Sequence, residues 1–484
     1  MIKTTIGTLT LDGVNTYSGI TTVDVDGGTL QFARQTAFYN NTPASWTDTN
    51  LVVNSGGTAA FNVGGADEFT AADIDIIAAL GTPTGGFLDG STLGLDTTNA
   101  AGTFTYGTVI VDTDSGSNSI GFNKLGTGTL ELTADNTYTG ATTISDGTLQ
   151  LGEGGSTGSL GSGAVTNNGA LIVNRDNTLT IASAISGTGS VEQAGSGTTV
   201  LSGASDYTGA TTVSNGELHI SGSLGVTAVS VGETAGTFAD AAILSGSGSI
   251  AGTVTIGAAG SLGILSPGGG AGDVNATLTL TANGTELTVA DGSQIRLGIS
   301  SPTNDATPAI TFMNGQYEFN GGTYGTAAEL FASTQDNGGA VGADGAEALA
   351  IWNVAPTTST SHDFLNLTGT NSNLTIGARA SAAHGEGSIL VTDAGLVGVS
   401  YGQVFNLIDW TQLSPMSFSV AGGFVGGSTP QAGNLDLPDL TGLGDFGWDT
   451  SAFQDYGIIV VVPEPSRALL FMLGLVGLLL RRRR

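Results

Sequence analysis

One pattern, written three times, constrains this chain more than any other feature. GTLTLDGVNTYSGITTVDVDGGTLQF runs from Gly7 to Phe32, GTLELTADNTYTGATTISDGTLQLG from Gly128 to Gly152, and TTVLSGASDYTGATTVSNGELHISG from Thr198 to Gly222. Each copy reads as a short strand, a turn, a Tyr-(Ser/Thr)-Gly step, a Thr-Thr-(Val/Ile) strand, a polar-Gly turn and a further strand. Diluted versions fill the intervals, as in 167–195 and 229–257. Strands of four to six residues at spacings of roughly ten cannot each bury a face alone, but they can when stacked as rungs of a coil. The expected fold class is therefore all-β, a right-handed parallel β-helix or β-solenoid. A β-sandwich array competes with it, but small and variable intervals suit rungs better than discrete domains.

In a coil, alternate side chains point inward. Leu130, Leu132, Ile144, Leu149, Leu151, Leu171 and Val173 then form an apolar column, with Thr, Ser and Asn coating the outside. Corners are expected at Tyr17 with Gly19, Tyr138 with Gly140, and Tyr207 with Gly209. There the glycine would take φ > 0 and the ring would cover a strand edge. The 79 glycines show no G-x-y period, which excludes collagen, and their Thr, Val, Ile and Leu neighbours suit strands and tight turns.

Charge narrows the partners. Lys and Arg number 11 against 41 Asp and Glu, for a net charge of −30, so nucleic acid is excluded as a partner. There is no cysteine, so neither disulfides nor thiolate metal sites can form, and three scattered histidines (His219, His362, His384) do not suggest zinc. No metal, cofactor or catalytic residue is expected.

The rungs are interrupted at 61–80, where Thr70 can cap a short helix carrying Asp73, Ile74, Ile77 and Leu80, an insertion at about 66–80. The nearby Asp67, Glu68, Asp73 and Asp75 lack the spacing of a calcium loop. Texture changes near Leu265, where LSPGGGAG reads as a break and the following TLTLTANGTELTVADGSQIRLGI as hairpin-like. The expected domains are a solenoid over 1–264, a divergent β-rich terminal solenoid or cap over 265–457, and a tail over 458–484.

Polysaccharide-cleaving β-helices supply the enzymatic alternative, a lyase or glycosidase, which would need paired carboxylates. Asp24 with Asp26, and Asp112 with Asp114, stand two apart, but Asp-Gly and Asp-Ser-Gly are ordinary turn sequences. No nucleophile elbow or phosphate loop is present in a strand-to-helix setting.

The tail is distinctive. Ala468 to Leu480, ALLFMLGLVGLLL, carries no charge and would span about 20 Å as a helix, short of a bilayer core of roughly 30 Å. Arg481, Arg482, Arg483 and Arg484 follow it directly, although only seven of the 11 basic residues lie elsewhere. Under the positive-inside rule they act as a cytoplasmic stop, with their side chains lengthening the effective span. Pro463 and Pro465 around Glu464 keep the approach extended.

This layout resembles the PEP-CTERM sorting signal of Gram-negative bacteria: Pro463-Glu464-Pro465, a single hydrophobic helix at 468–480, and the arginine stop. The resemblance implies recognition and cleavage by an exosortase, a membrane-held precursor, and then release to the envelope, cell surface or matrix, often beside exopolysaccharide. The repeats at Gly7, Gly128 and Thr198 resemble autotransporter-associated β-strand repeats of passenger domains. LGILSPGGG, from Leu262 to Gly270, is similar to a turn that closes such arrays. No translocator barrel sequence follows the repeats, so this second resemblance implies shape rather than secretion route. No signal peptide is visible before Gly7, and a mis-called or truncated start is expected. The functional expectation is a non-enzymatic, exported and adhesive surface or matrix protein.

Overall fold

The computed structural model describes residues 1–233 without a break and, beyond 240, separate segments of which the last is the strand Ile458–Pro463. The chain divides into two compact units, Met1–Val229 and Ser230–Arg484.

In the first unit the strands form parallel ladders. The first ladder stacks Ile2–Lys3, Thr21–Val23, Leu51–Val53 and Gly85–Phe87, the last closed by an antiparallel partner, Gly81–Thr82. The second runs from Thr8–Leu11 through Thr29–Phe32, Thr58–Asn62, Thr92–Asp96, Gly121–Leu125, Thr142–Ile144 and Val165–Asn167 to Ile185–Ser186. The third holds Thr103–Tyr106, Thr129–Leu132, Thr148–Leu151, Ala170–Val173, Ser190–Gln193 and Thr211–Val213. The fourth includes Leu179–Ile181, Thr198–Leu201 and Glu217–Ile220. Sandwich strands pair mainly antiparallel, whereas these ladders are parallel, as rungs of a β-solenoid require.

Register explains the pairing. Leu130, Leu149, Leu171 and Val191 are successive partners, as are Leu132, Leu151 and Val173, and all are at most 1% exposed. Each buried aliphatic side chain contributes about 1.5–3 kcal/mol, and a one-residue slip would turn the whole column outward. The expected inward set is inside, Ile144 included.

The outside differs from expectation. Thr21, Thr142 and Thr211, the first threonine of each Thr-Thr pair, are fully buried, and so is Asn167. Only the second threonine of each pair faces outward.

Residues 35–50 and 63–80 leave the rungs on either side of the strands Leu51–Val53 and Thr58–Asn62 and form a side lobe. Its core is a set of touching rings in which Phe38 meets Phe32, Phe61 and Trp46, and Phe69 meets Phe61 and Trp46. The helix Ala71–Ala78 buries Ile74, Ile77 and Ala78. Thr70 accepts from the Asp73 amide while the Asp73 carboxylate accepts from the Thr70 amide, a reciprocal cap.

The second unit is also built of parallel ladders. The stretch expected to be a hairpin is not one. Thr277–Leu280 pairs with Ser249–Ile250 and Phe364–Leu367, Thr285–Val289 with Val254–Ile256 and Asn373–Ile376, and Gln294–Ile299 with Gly263–Ser266 and Ile389–Asp393, every pair parallel. Alternation of apolar residues is the same in a hairpin and in a rung; only the partner differs. The strand Gly263–Ser266 likewise pairs in parallel with Ala242–Gly246, so the ladder continues where a break was expected. Two antiparallel elements depart from the coil: the meander Thr311–Met313, Gln316–Phe319, Gly322–Tyr324, and a sheet joining Val404–Asn406, Phe446–Asp449 and Ile458–Pro463. Residues 458–463, assigned from sequence to the tail, thus lie within that sheet.

Candidate functional site

Because the repeats carry the recurring chemistry, the corners are built first. In the second copy the Tyr138 ring is fully buried and its hydroxyl lies 2.7 Å from Thr142 Oγ1, four residues on. In the third, Tyr207 and Thr211 repeat this at 2.6 Å. In the first, Thr21 Oγ1 donates to the Tyr17 hydroxyl at 3.1 Å and also meets the Tyr39 hydroxyl. Burial raises the pKa of all three phenols, Tyr207 to about 12, so they stay protonated as hydrogen-bonding groups. In the second and third copies the ring is therefore a core plug with a satisfied polar end, not the lid over a strand edge that the sequence suggested, while Tyr17 is half-buried.

The glycine of each corner also has a different role. Gly19, Gly140 and Gly209 do not take the left-handed conformation. A Cβ on Gly140 would overlap the Ile120 carbonyl, and one on Gly209 the Gly189 carbonyl, so these glycines admit the backbone of the preceding rung. The positive φ belongs to the polar-Gly turn: Gly28 at 65°, Gly147 at 65° and Gly216 at 60°.

One recurring group was missed. Lys3, Lys124 and Gln193 stand at the same place in the three copies, four residues before the Gly-Thr, Gly-Thr and Gly-Thr steps at Gly7, Gly128 and Gly197. All three are buried. Lys124 Nζ donates to the carbonyls of Leu125 (2.8 Å), Gly126 (2.6 Å) and Asp146 (3.1 Å). Lys3 donates to Thr5 and Gly27, and Gln193 to Gly195 (2.6 Å) and Gly197 (3.1 Å). Each long polar side chain gathers turn carbonyls, of which Leu125 O also accepts from the Thr97 amide and Gly197 O from the Glu217 amide. Burial lowers the Lys124 pKa to about 8. The signal was present in the sequence, since both of its lysines, Lys3 and Lys124, fall at one repeat position.

The copies do not share a face. The Thr-Thr and following strands lie in the first and second ladders for copy one, the second and third for copy two, and the third and fourth for copy three. Tyr138 and Tyr207 are 69 positions apart, three coils of about 20 residues plus part of another. Shared residues therefore repeat inside the coil and do not line up as one outward stripe.

The acidic pairs are turn residues. Asp112 accepts from the amides of Ile120 and Thr139, each at 3.0 Å, and from Thr139 Oγ1 at 2.7 Å, tying its loop to the second corner. Asp114 sits next door at φ 50°, in a left-handed turn with Ser115. Asp24 caps the Val25 amide, and Asp26 has φ 52°. The carboxylates of the side lobe diverge: Glu68 holds Asn99 at 2.7 Å, Asp73 caps the helix, and Asp75 bonds Tyr106. Arg34 bridges Asp12 at 2.6 Å in an open polar cleft of about 410 Å³ that also borders Asp67. Among the described residues there is no group of three or more His, Asp or Glu that could hold a metal ion.

The sorting motif is only partly within reach. Pro463 ends the strand Ile458–Pro463, while Glu464, Pro465, the segment 468–480 and Arg481 to Arg484 lie outside the described residues, as do His362 and His384. No helix among the described residues is long and apolar enough to cross a membrane.

Comparison with known proteins follows the corners. A family model described as Passenger-associated-transport-repeat matches residues 1–32, 122–151 and 191–220. Lys3, Lys124 and Gln193 are each the third residue of a matched segment. The chain is also similar to "Adhesin BmaC autotransporter" of Brucella suis biovar 1 (strain 1330), with 32% identity over 286 residues, covering 44% of this chain and 8% of the relative. The chain thus spans less than a tenth of that relative's length.

Proposed function

We propose that this is a non-enzymatic, exported protein that acts adhesively at the cell surface or in the matrix, carried on a passenger-type β-solenoid. The observation that carries the reading is that all three matched segments form coil corners whose shared residues serve packing. Similarity to part of an adhesin autotransporter supports the surface assignment. The acidic pairs that an enzyme would need are held in turns, Asp112 by three hydrogen bonds.

Sorting is assigned to the tail. A membrane-held precursor is recognised at Pro463-Glu464-Pro465, stopped by Arg481 to Arg484, and cleaved by an exosortase-type enzyme, after which the mature protein reaches the envelope or the exopolysaccharide matrix. The test is expression in an exosortase-bearing Gram-negative host, with surface protease accessibility and precursor size as readouts. Replacing Pro463, Glu464 and Pro465 by alanine should leave a full-size precursor that external protease does not reach. Unchanged processing and display would remove the sorting reading. Sugar release from neutral or acidic polysaccharide by the purified protein would remove the non-enzymatic one.

A further inference from the structure

The last described strand leads directly into the sorting motif. Among the described residues, Ile458–Pro463 is the central strand of a three-stranded antiparallel sheet, between Val404–Asn406 and Phe446–Asp449. On one side Val404, Phe405 and Asn406 pair with Val460, Ile459 and Ile458. On the other, Phe446, Gly447, Trp448 and Asp449 pair with Pro463, Val462, Val461 and Val460. The first residue of Pro463-Glu464-Pro465 is therefore also the last paired residue of a strand.

This sheet is fastened to the coil. Val404–Asn406 runs on through Leu407 into Ile408–Asp409, which joins a parallel ladder opposite Leu365 and Asn366. Leu407 is fully buried, and its carbonyl accepts from the Leu365 amide at 3.0 Å. Ile459 in the terminal strand is fully buried as well. Opening that strand uncovers an isoleucine and gives up pairing on both sides.

Little chain lies between the sheet and the apolar segment. Residues 464–467 alone separate Pro463 from Ala468. Five Cα steps reach at most about 18 Å. An enzyme that takes Pro-Glu-Pro as an extended peptide binds backbone groups on both sides of the motif, as in strand addition. Upstream, those groups belong to Val461 and Val462, which are already paired with Trp448 and Gly447.

We propose that the terminal sheet controls the sorting step: exosortase-type cleavage takes place only from a state in which Ile458–Pro463 has left the sheet. The proposal rests on the sorting reading above and adds its regulation. Folding of the sheet and processing compete for one strand. Where opening is fast compared with cleavage, the processing rate follows the opened population. A chain cleaved before the sheet closes is released at once, and a chain whose sheet closes first stays a membrane-held precursor until the strand opens.

The test uses the full chain in a Gram-negative host in which exosortase is induced after the precursor has accumulated, with conversion to mature size as readout. Asp449→Cys with Val460→Cys places a disulfide across a directly paired position, and the natural chain has no cysteine to compete. Oxidised, this variant should convert at least about tenfold more slowly than the natural chain, and reductant should restore the rate. Each single-cysteine variant should convert at the natural rate. Gly447→Pro with Trp448→Pro removes the N–H that faces the strand, whichever of the two supplies it, and should convert faster. Conversion of the locked form at the natural rate overturns the proposal and leaves the sorting reading standing. So does slow conversion that reductant does not restore, or slower conversion of the proline variant. A natural chain that exosortase does not convert, or one still converted after Pro463, Glu464 and Pro465 become alanine, removes the sorting reading itself and this proposal with it.

Discussion

At the scale of single residues, the repeat encodes buried polar groups whose protonation is set by their surroundings. An unfolded lysine titrates near 10.5, while burial brings folded Lys124 to about 8. Below pH 8 both states are protonated and the cost of burying the charge is constant. Between these two values the unfolded chain keeps the proton that the folded one has lost, so stability rises with pH, by at most about 1.4 kcal/mol per unit. The tyrosines act in the opposite sense. With Tyr207 raised to about 12, the unfolded phenol ionises first above pH 10, and stability falls from there. Urea unfolding from pH 7 to 10 should show the rise in the natural protein and a flatter profile in Lys124→Gln. That variant should otherwise be close to neutral, because Gln193 fills the same position in the third copy, whereas Lys124→Met should cost about 1–3 kcal/mol by leaving turn carbonyls without a donor. Tyr138→Phe, which strands the buried Thr142 hydroxyl, should cost a similar amount, about 1–3 kcal/mol.

At the scale of elements, corners and caps make separable predictions. Gly140→Ala should destabilise by about 1–3 kcal/mol, since the added methyl meets the Ile120 backbone, while Gly19→Ala should fall within about 0.5 kcal/mol of the natural protein. Paired denaturation curves check both, and equal costs would mean that the corner glycines are not there for rung contact. Thr70→Ala removes the helix cap and should cost about 1 kcal/mol. The strand columns were legible in the sequence, because alternation over four residues forces Leu130 with Leu132 and Leu149 with Leu151 onto one face. The helix was legible from its cap. Glycine roles were not, because positive φ and close backbone approach both select glycine and leave the same letter. The supposed hairpin at 277–299 failed for a related reason: a corner of a few polar residues can reverse the chain or turn it toward the next ladder.

At the scale of the whole chain, a net charge of −30 sets solution behaviour. Self-repulsion among carboxylates should make thermal stability rise as salt is added from low concentration to about 0.15 M, where the screening length shortens to about 8 Å. Solubility should be lowest near about pH 4, where the carboxylates take up protons. Thermal unfolding across a salt series and turbidity across a pH series test these. Neither trend depends on the tail sequence or on any partner.

What the sequence determined by itself was periodic or compositional: strands with fixed inward faces, an acidic body, no thiol chemistry, and a tail of Pro-Glu-Pro, apolar and arginine blocks. These follow from local alternation and from counts, which need no knowledge of spatial neighbours. What only the tertiary structure decided was every relation between rungs. It showed that Lys3, Lys124 and Gln193 serve turn carbonyls, that Asp112 holds the Thr139 corner, and that the three copies occupy successive ladders. The physical reason is that a solenoid closes its contacts across intervals of about 20 residues. Loop lengths shift those intervals, so a residue's partner depends on the whole path of the coil between them.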